Sequence, residues 1–348
     1  MKKLTPTASG VAAFLIILAG LKISQSFLSP FLLALFISII CSQPIFWLKK
    51  KKISSGLAVL IVIIGLLLVY TGLNLLIGSS VSFFIKDASK YSESLKELTD
   101  SASTFFSKHG INIAVFAEAG AMDPAKIMEH TRTVVSNIGD LLSNEITFIF
   151  LTIFLLLEID SIMLKMRVMV KGNEAADENW QKIGRNIRHY LSIKTMTSLA
   201  TGVFVGVSLA IIGVDYAVLW GLVAFLLNYI PTIGSIIAAI PGITFSLLQL
   251  GFPETFWTLG IYIFANFVIG SVLEPKIMGK GMGLSTAVVF VGLIFWGFIL
   301  GPVGMFLSVP ITMTIKFILD YNPKTKWIAV ILGTKSDVQR ELGEEEGD

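Results

Sequence analysis

The stretch LLNYIPTIGSIIAAIPG, residues 226–242, interrupts a strongly apolar part of the chain with residues that end helices. Asn228, Pro231, Gly234, Pro241 and Gly242 all lie within it. Proline cannot donate a backbone hydrogen bond, and glycine adopts conformations that other residues avoid. The stretch therefore predicts a broken helix, which leaves polar backbone groups unpaired in apolar surroundings.

The composition around this stretch is that of a membrane protein. Of the 348 residues, 54% are hydrophobic and 15% are charged, whereas roughly a quarter are charged in soluble domains. Several runs with few or no charges reach the length of about 20 residues that a membrane-spanning helix needs. We therefore predict an all-α polytopic membrane protein whose surroundings are the lipid bilayer. The net charge of +3 gives no reason to expect a nucleic-acid partner.

The chain divides into four predicted segments. Residues 1–85 form N-terminal transmembrane helices, 86–143 an extramembrane insert, 144–320 a transmembrane transport core, and 321–348 a cytoplasmic tail. The first segment begins with two helices, 10–25 and 27–47, joined at Ser26 to Pro30. Lys49 to Lys52 follow at once, and such clusters mark the cytoplasmic side of a membrane. Both termini are expected in the cytoplasm.

The insert carries six Lys or Arg against eight Asp or Glu, with apolar residues at helical spacing. This pattern predicts a small group of amphipathic helices outside the membrane. Two interpretations remain open. The helices either pack on themselves, or their apolar stripe meets neighbouring subunits.

A second break, GFILGPVG at 297–304, resembles the first. Pro302, Gly304 and Pro310 repeat the order of Pro231, Gly234 and Pro241 at similar spacing. We predict that residues 216–250 and 284–319 form two re-entrant helical hairpins of opposite orientation, beside about six full transmembrane helices. Each hairpin arm before and after the first break has about sixteen residues. The alternative for 216–250 is one long broken span, but that would move Lys276 and Lys280 to the outer side, against the positive-inside tendency.

Interrupted helices in a membrane indicate a transport site, because non-helical backbone is tolerated there only beside protein or water. The residues predicted to line the solute path are Asn228, Tyr229, Pro231, Gly234, Pro241, Gly301, Pro302, Gly304 and Pro310. We define the first tip as residues 228–234 and the second tip as residues 301–304.

Four further polar residues lie in or beside apolar segments: Lys194, Gln249, Asn266 and Glu274. Each is a candidate for coupling to an ion or for gating. The structural alternatives are hydrogen bonds between helices for the two amides, snorkelling to the cytoplasm for Lys194, and pairing with Lys276 or an arginine for Glu274.

The sequence contains no P-loop, HExxH or GxSxG motif and no catalytic constellation. Its one cysteine, Cys41, and its three histidines have no metal-ligand spacing. We therefore expect no enzyme activity, no cofactor and no bound metal.

Three runs resemble a known family. They are GVDYAVLWGLVAFLLNYIPTIGSIIAAIPG (213–242), EPKIMGKGMGLSTAVVF (274–290) and FWGFILGPVGMFLSVPITM (295–313). They are similar to the AI-2E, or PerM-like, transporter family, and the resemblance extends over nearly the whole chain. The variants LLNYIPTIGSIIAAIP and GLSTAVVF are closest to a subgroup that exports autoinducer-2.

The resemblance implies export of autoinducer-2, a small quorum-sensing signal, across the bacterial inner membrane. It also implies an elevator-like movement and a homo-oligomer, with a pentamer as one form. Sodium (or lithium)/proton antiport is the alternative within the family, with Na⁺ or H⁺ as partner. Many members carry a Gly-Gln pair where Ile193-Lys194 stands here, so no antiporter site is transferred to that position. A non-transporting membrane scaffold is the alternative from another class.

Overall fold

The computed structural model of the chain describes residues 6–76, 78–79, 108, 133, 145–169, 174–278, 283–335 and 338–339. The predicted helical insert at 86–143 lies almost wholly outside this part, as does the end of the tail. Within the described residues every regular element is a helix. This confirms the predicted all-α architecture.

Twelve α-helices are defined in the described part of the chain. They are α1 (Pro6–Ile23), α2 (Gln25–Lys50), α3 (Ser55–Leu76), α4 (Glu145–Met169), α5 (Glu174–Ile212), α6 (Ala217–Leu227), α7 (Ile233–Leu250), α8 (Phe252–Phe264), α9 (Glu274–Met278), α10 (Thr286–Leu300), α11 (Pro302–Tyr321) and α12 (Lys326–Leu332). A π-helix, Ala265–Leu273, joins α8 to α9.

Six of the described helical stretches are long and apolar enough to cross a membrane, as predicted for a polytopic protein. They are Gln25–Lys50, Ser55–Leu76, Trp180–Ile212, Ile233–Leu250, Phe252–Met278 and Pro302–Tyr321. Two of them, α7 and α11, are the return arms of the predicted hairpins. Whether these arms cross the bilayer or turn back within it stays a prediction.

The junction between the first two helices differs from the predicted one. The chain turns at Ser24, and α2 begins at Gln25, so Pro30 lies inside a helix rather than in a connection. Pro30 removes one N–H donor, but proline is tolerated inside transmembrane helices because neighbouring groups satisfy the freed carbonyl.

The two arms of the first hairpin are unequal. Helix α6 has 11 residues and α7 has 18, whereas about sixteen were expected in each. At 1.5 Å per residue α6 is roughly 16 Å long. It ends early because Pro231 cannot donate to a helix and Thr232 has a positive φ of 60°.

The residues group into two compact units. The first unit comprises Met1–Ile63, Ile146–Met196 and Glu274–Asp348, and the second comprises Ile64–Glu145 and Thr197–Leu273. The four-segment division made from the sequence stays a prediction.

The first unit is built on the hairpin of α10 and α11. Phe36 on α2 packs edge-on against Phe306 on α11, with ring centroids 5.3 Å apart. Ser38 on α2 donates a hydrogen bond to the carbonyl of Thr152 on α4. Helix α12 packs on α11, and its Leu332 carbonyl accepts from the backbone N–H of Ser285, which caps α10.

The core of the second unit lies where α6, α7 and the second half of α5 meet. Trp220 and Phe245 are fully buried, with ring centroids 5.0 Å apart. The backbones of α5 and α6 come close through glycines. A Cβ at Gly202 would lie 2.7 Å from the Gly221 carbonyl oxygen, and a Cβ at Gly221 would lie 2.8 Å from the Cα of Gly206. Small residues of this kind allow close helix approach in membranes.

Candidate functional site

The first tip is non-helical, and its first three residues are buried inside the second unit. Asn228, Tyr229 and Ile230 are each less than 9% exposed. The backbone N–H of Ile230 donates to Leu227, and that of Gly234 donates to Ile230 at 3.2 Å. These short-range bonds satisfy part of the backbone that the broken helix leaves unpaired, so the tip is a defined turn rather than a loose loop.

Gly234 is required by the path of the chain at this tip. A Cβ there would lie 1.8 Å from the carbonyl oxygen of Leu227, the last residue of α6. Gly304 occupies the corresponding place in the first unit, where a Cβ would lie 2.0 Å from the carbonyl oxygen of Trp296. In both hairpins, therefore, a glycine just after the tip proline lets the return arm pass a carbonyl of the arriving arm.

The side chain of Asn228 is held by a hydrogen bond between helices. Its Nδ2 donates to Ser198 Oγ on α5 at 3.0 Å, and Ser198 is fully buried. Tyr229 packs edge-on against Phe225. The amide is thus fixed at the tip, and its Oδ1 is the acceptor that this bond leaves unused.

Gln249 fastens the connection that precedes α6. Its Oε1 accepts from the backbone N–H of Asp215 at 2.7 Å, and its Nε2 donates to the Gly213 carbonyl at 3.1 Å. Both ends of the amide are used to hold backbone. Gln249, near the end of α7, therefore stabilises the connection between α5 and α6, and it lies 15 residues after the first tip in sequence.

The second tip is a turn at Gly301, which has a φ of 68°. Helix α10 ends there and α11 begins at Pro302. The last turn of α10 has carbonyls that no helix N–H can reach. Lys22 Nζ donates to the Phe298 carbonyl at 2.5 Å, and Ser29 Oγ donates to the Leu300 carbonyl at 3.0 Å. Residues of α1 and α2 therefore cap this tip.

Two of the predicted prolines lie inside the return arms rather than at the tips. Pro241 lies inside α7 and Pro310 lies inside α11. The Thr312 hydroxyl, near Pro310, donates to the Ser308 carbonyl and accepts from Trp296 Nε1 at 3.0 Å. The return arms are thus helices that continue through a proline.

Lys194 and Glu274 form an ion pair within the first unit. Lys194 Nζ lies 2.7 Å and 2.9 Å from the two carboxylate oxygens of Glu274. The two side chains are 7% and 14% exposed, and both lie on candidate membrane spans. The structure therefore pairs Lys194 with Glu274, and the roles predicted for the two residues stay predictions. The pair was not predicted from the sequence, because its two residues lie 80 positions apart and no local pattern connects them.

A second polar contact joins α2 to α5, close in sequence to Lys194. Gln43 Nε2 donates to Ser192 Oγ and to the Arg188 carbonyl, the latter at 3.1 Å. Reasoning from the sequence missed Gln43 because a lone amide near a helix end is common. Ser192 lies two residues before Lys194, so this contact helps to hold the stretch of α5 that carries the lysine.

Asn266 lies in the π-helix that follows α8. Its backbone carbonyl accepts from Ser271 Oγ at 3.4 Å, and a Cβ at Gly270 would lie 3.3 Å from its Oδ1. π-helical turns inside α-helices are frequent at functional sites. The π-helix was not predicted, because its hydrophobic pattern differs little from that of an α-helix.

No three His, Cys, Asp or Glu side chains come close enough to hold a metal ion in the part of the chain that the structure describes.

The sequence of the chain is similar to those of transporters. Residues 11–324 match the family model described as "AI-2E family transporter". The chain is 37% identical over 330 residues to the AI-2 transport protein TqsA of Escherichia coli K12, covering 94% of each chain. It is 38% identical over 337 residues to a putative transport protein of Haemophilus influenzae, covering 95% of this chain and 97% of the relative. It is also 24% identical over 337 residues to the putative permease PerM of E. coli K12, covering 90% and 93%.

Proposed function

Because the chain belongs to the AI-2E transporter family, we propose that it is a secondary transporter that exports a small polar solute, with autoinducer-2 as the first candidate. Autoinducer-2 is chosen because the relative TqsA is named as an AI-2 transport protein. The proposed location is the bacterial inner membrane, with both termini in the cytoplasm. The proposed assembly is a homo-oligomer, with a pentamer as the form to test first.

The observation that carries the proposal is the non-helical first tip, whose residues Asn228 to Ile230 are buried. A protein that only crosses a membrane gains nothing from non-helical backbone within an apolar unit, because each unpaired group there costs free energy. Here the broken backbone lies beside Asn228, a buried amide whose Oδ1 remains able to accept a hydrogen bond. Such a group recognises a hydroxyl or amine of a small solute.

We propose an elevator-like movement that carries the solute with the tips. The prolines make the breaks permanent, and the glycines allow backbone or solute to come close. The residues proposed to line the path are those predicted from the sequence: Asn228, Tyr229, Pro231, Gly234, Pro241, Gly301, Pro302, Gly304 and Pro310.

Sodium/proton antiport is kept as the second candidate because of the Lys194–Glu274 pair. Ionisable side chains within membrane segments are costly and often mark ion pathways. A carboxylate that exchanges its lysine partner for Na⁺ or a proton would couple ion movement to solute movement. Gln249 and Asn266 remain proposed as gating residues alongside this pair.

The test is flux into proteoliposomes that contain the purified protein. We expect labelled autoinducer-2 to move, and Asn228→Ala to lower its rate at least tenfold. The matched control is Asn74→Ala, which loses only a hydrogen bond to the Tyr70 carbonyl of its own helix and should leave the rate unchanged. The thermal midpoint and size-exclusion profile report whether each variant is folded.

Sodium should be measured in the same vesicles with and without a pH gradient. Clear exchange of sodium for protons with no movement of autoinducer-2 would replace the first candidate with the second. If a folded Asn228→Ala variant transported as fast as the wild type, the first tip would not be part of the solute path.

A further inference from the structure

A buried hydroxyl on α8 has no hydrogen-bond partner. The side chain of Tyr262 is 7% exposed, and its Oη is buried and makes no hydrogen bond to any described residue. Buried polar atoms are nearly always paired, and an exception calls for a physical explanation. Leaving this donor unpaired lowers the stability of the folded protein. A ligand that accepts a hydrogen bond from the hydroxyl would offset this loss.

The Tyr262 hydroxyl occupies space that only a glycine at position 242 leaves open. It lies against Gly242 of α7, where a Cβ would be only 2.3 Å from the Oη. Any side chain at 242 would displace it. The preceding residue, Pro241, has no N–H to donate to the carbonyl of Ile237 one turn back. The unpaired Tyr262 hydroxyl thus lies beside the turn of α7 in which the Ile237 carbonyl lacks the N–H that residue 241 would normally donate.

The interface between α7 and α8 carries more hydroxyl groups but little charge. One turn later on α7 and one turn earlier on α8, Thr258 Oγ1 donates to Ser246 Oγ at 2.9 Å, and both residues are fully buried. Across α7, α8 and the π-helix the single ionisable acid or base is Glu254, in the first turn of α8. This interface therefore favours a neutral polar group over an ion.

We propose that Tyr262 Oη and the backbone beside Pro241 form a subsite for a hydroxyl or carbonyl group of a small neutral solute. A solute hydroxyl can accept from Tyr262 and donate to a carbonyl at once, which matches the two groups present. The subsite is occluded in this conformation and opens when α7 and α8 separate at the Pro241–Gly242 turn. This inference rests on the proposed transport function and adds the chemical class of the solute.

The first test is Tyr262→Phe, which removes the hydroxyl and keeps the ring. Because the hydroxyl is unpaired, the thermal midpoint should stay the same or rise. The KM for autoinducer-2 flux should rise at least fivefold, since a solute contact is lost. The matched control is Tyr321→Phe, whose ring is 49% exposed and whose change should move neither quantity. An unchanged KM in folded Tyr262→Phe protein would overturn the subsite.

The second test measures binding without flux. A 3-fluorotyrosine at position 262, with one at position 321 as control, is observed by fluorine NMR in lipid nanodiscs. Autoinducer-2, erythritol and sodium chloride are added in separate titrations. We expect the signal of residue 262 to shift with autoinducer-2 and with erythritol, but not with sodium chloride.

The two tests separate this inference from the proposed function. A shift with erythritol, together with wild-type protein that moves no autoinducer-2, keeps the subsite and removes the proposed solute. Normal autoinducer-2 flux, with no shift at residue 262 and no change of KM in Tyr262→Phe, keeps the function and removes the subsite. A shift with sodium chloride alone overturns the neutral class of ligand, and no shift with any probe overturns the subsite.

Discussion

At the scale of single residues, the Lys194–Glu274 pair has a strong energetic consequence. Both charges are largely buried, and removing the partner of a buried charge is more damaging than replacing both charges with apolar groups. The pair lies between spans that are far apart in sequence. It therefore ties together parts of the first unit that are distant in sequence.

Glu274→Gln should lower the free energy of unfolding by about 3 kcal/mol, because the Lys194 ammonium is left without its countercharge. The double variant Lys194→Met with Glu274→Leu should recover most of this loss. Thermal unfolding in detergent measures both. Exposed Glu158, whose partner Lys165 is also exposed, provides the control Glu158→Gln, which should change stability by less than about 1 kcal/mol. Equal losses in the single and double variants would show that charge pairing is not the cause.

Gly234→Ala is expected to disrupt the first tip. The added Cβ would lie 1.8 Å from the Leu227 carbonyl oxygen, and backbone cannot move aside as a flexible side chain can. We expect a loss of at least about 2 kcal/mol, in the range of overpacked sites. Gly260→Ala on α8 is the matched control, because no atom lies within 4 Å of a Cβ there. Similar thermal midpoints for the two variants would contradict this account of the tip.

At the scale of elements, the second tip depends on helices from the other end of the chain. The C-terminal carbonyls of α10 are capped by Lys22 and Ser29. A Cβ at Gly301 would lie 2.6 Å from Gln25 Nε2, so the junction of α1 and α2 fits closely against the turn. The N-terminal helices therefore stabilise the hairpin of α10 and α11 directly.

Lys22→Met with Ser29→Ala should loosen the second tip. The two carbonyls lose their donors. Loss of the buried bond from Ser29 costs about 1–3 kcal/mol, whereas the bond from Lys22 is exposed and its loss costs less. In a Cys41→Ser background, a cysteine introduced at Val303 should then react faster with a maleimide. Lys50→Met, at the opposite end of α2, is the control and should leave the rate unchanged. If both variants react equally fast, the caps do not hold the tip.

At the scale of the whole molecule, charge distribution sets the orientation in the membrane. Lys49 to Lys52 follow α2, and Lys324 and Lys326 follow α11. Basic clusters of this kind stay on the cytoplasmic side. In the proposed topology the connection between α7 and α8, at Gly251, is on the outer side.

The orientation can be measured with single cysteines, since Cys41 is the one native cysteine. In a Cys41→Ser background, cysteines at Lys51 and Lys324 should react with an impermeant maleimide only after the cells are permeabilised. A cysteine at Phe252, which is 72% exposed, should react in intact cells. Labelling of Lys51 and Lys324 from opposite sides would refute the assigned topology.

The sequence predicted the class of fold, the two breaks and the residues of both tips. Pro231, Gly234, Pro302 and Gly304 are visible as local signals, because proline and glycine change the backbone where they stand. The partners of these residues were not predictable. Ser198 for Asn228, Glu274 for Lys194 and Lys22 for the α10 terminus are 30, 80 and 276 residues away from the groups they bond. Hydrophobic periodicity carries no signal for such pairs.

By itself, then, the sequence determined that this is a helical membrane protein with two interrupted hairpins, because apolar run length and helix-breaking residues act locally along the chain. The tertiary structure alone decided which polar groups are already paired and which are not. Asn228, Gln249 and the second tip have partners supplied by other helices, whereas the Tyr262 hydroxyl has none among the described residues. That difference depends on distances between helices, which local patterns in the sequence do not encode.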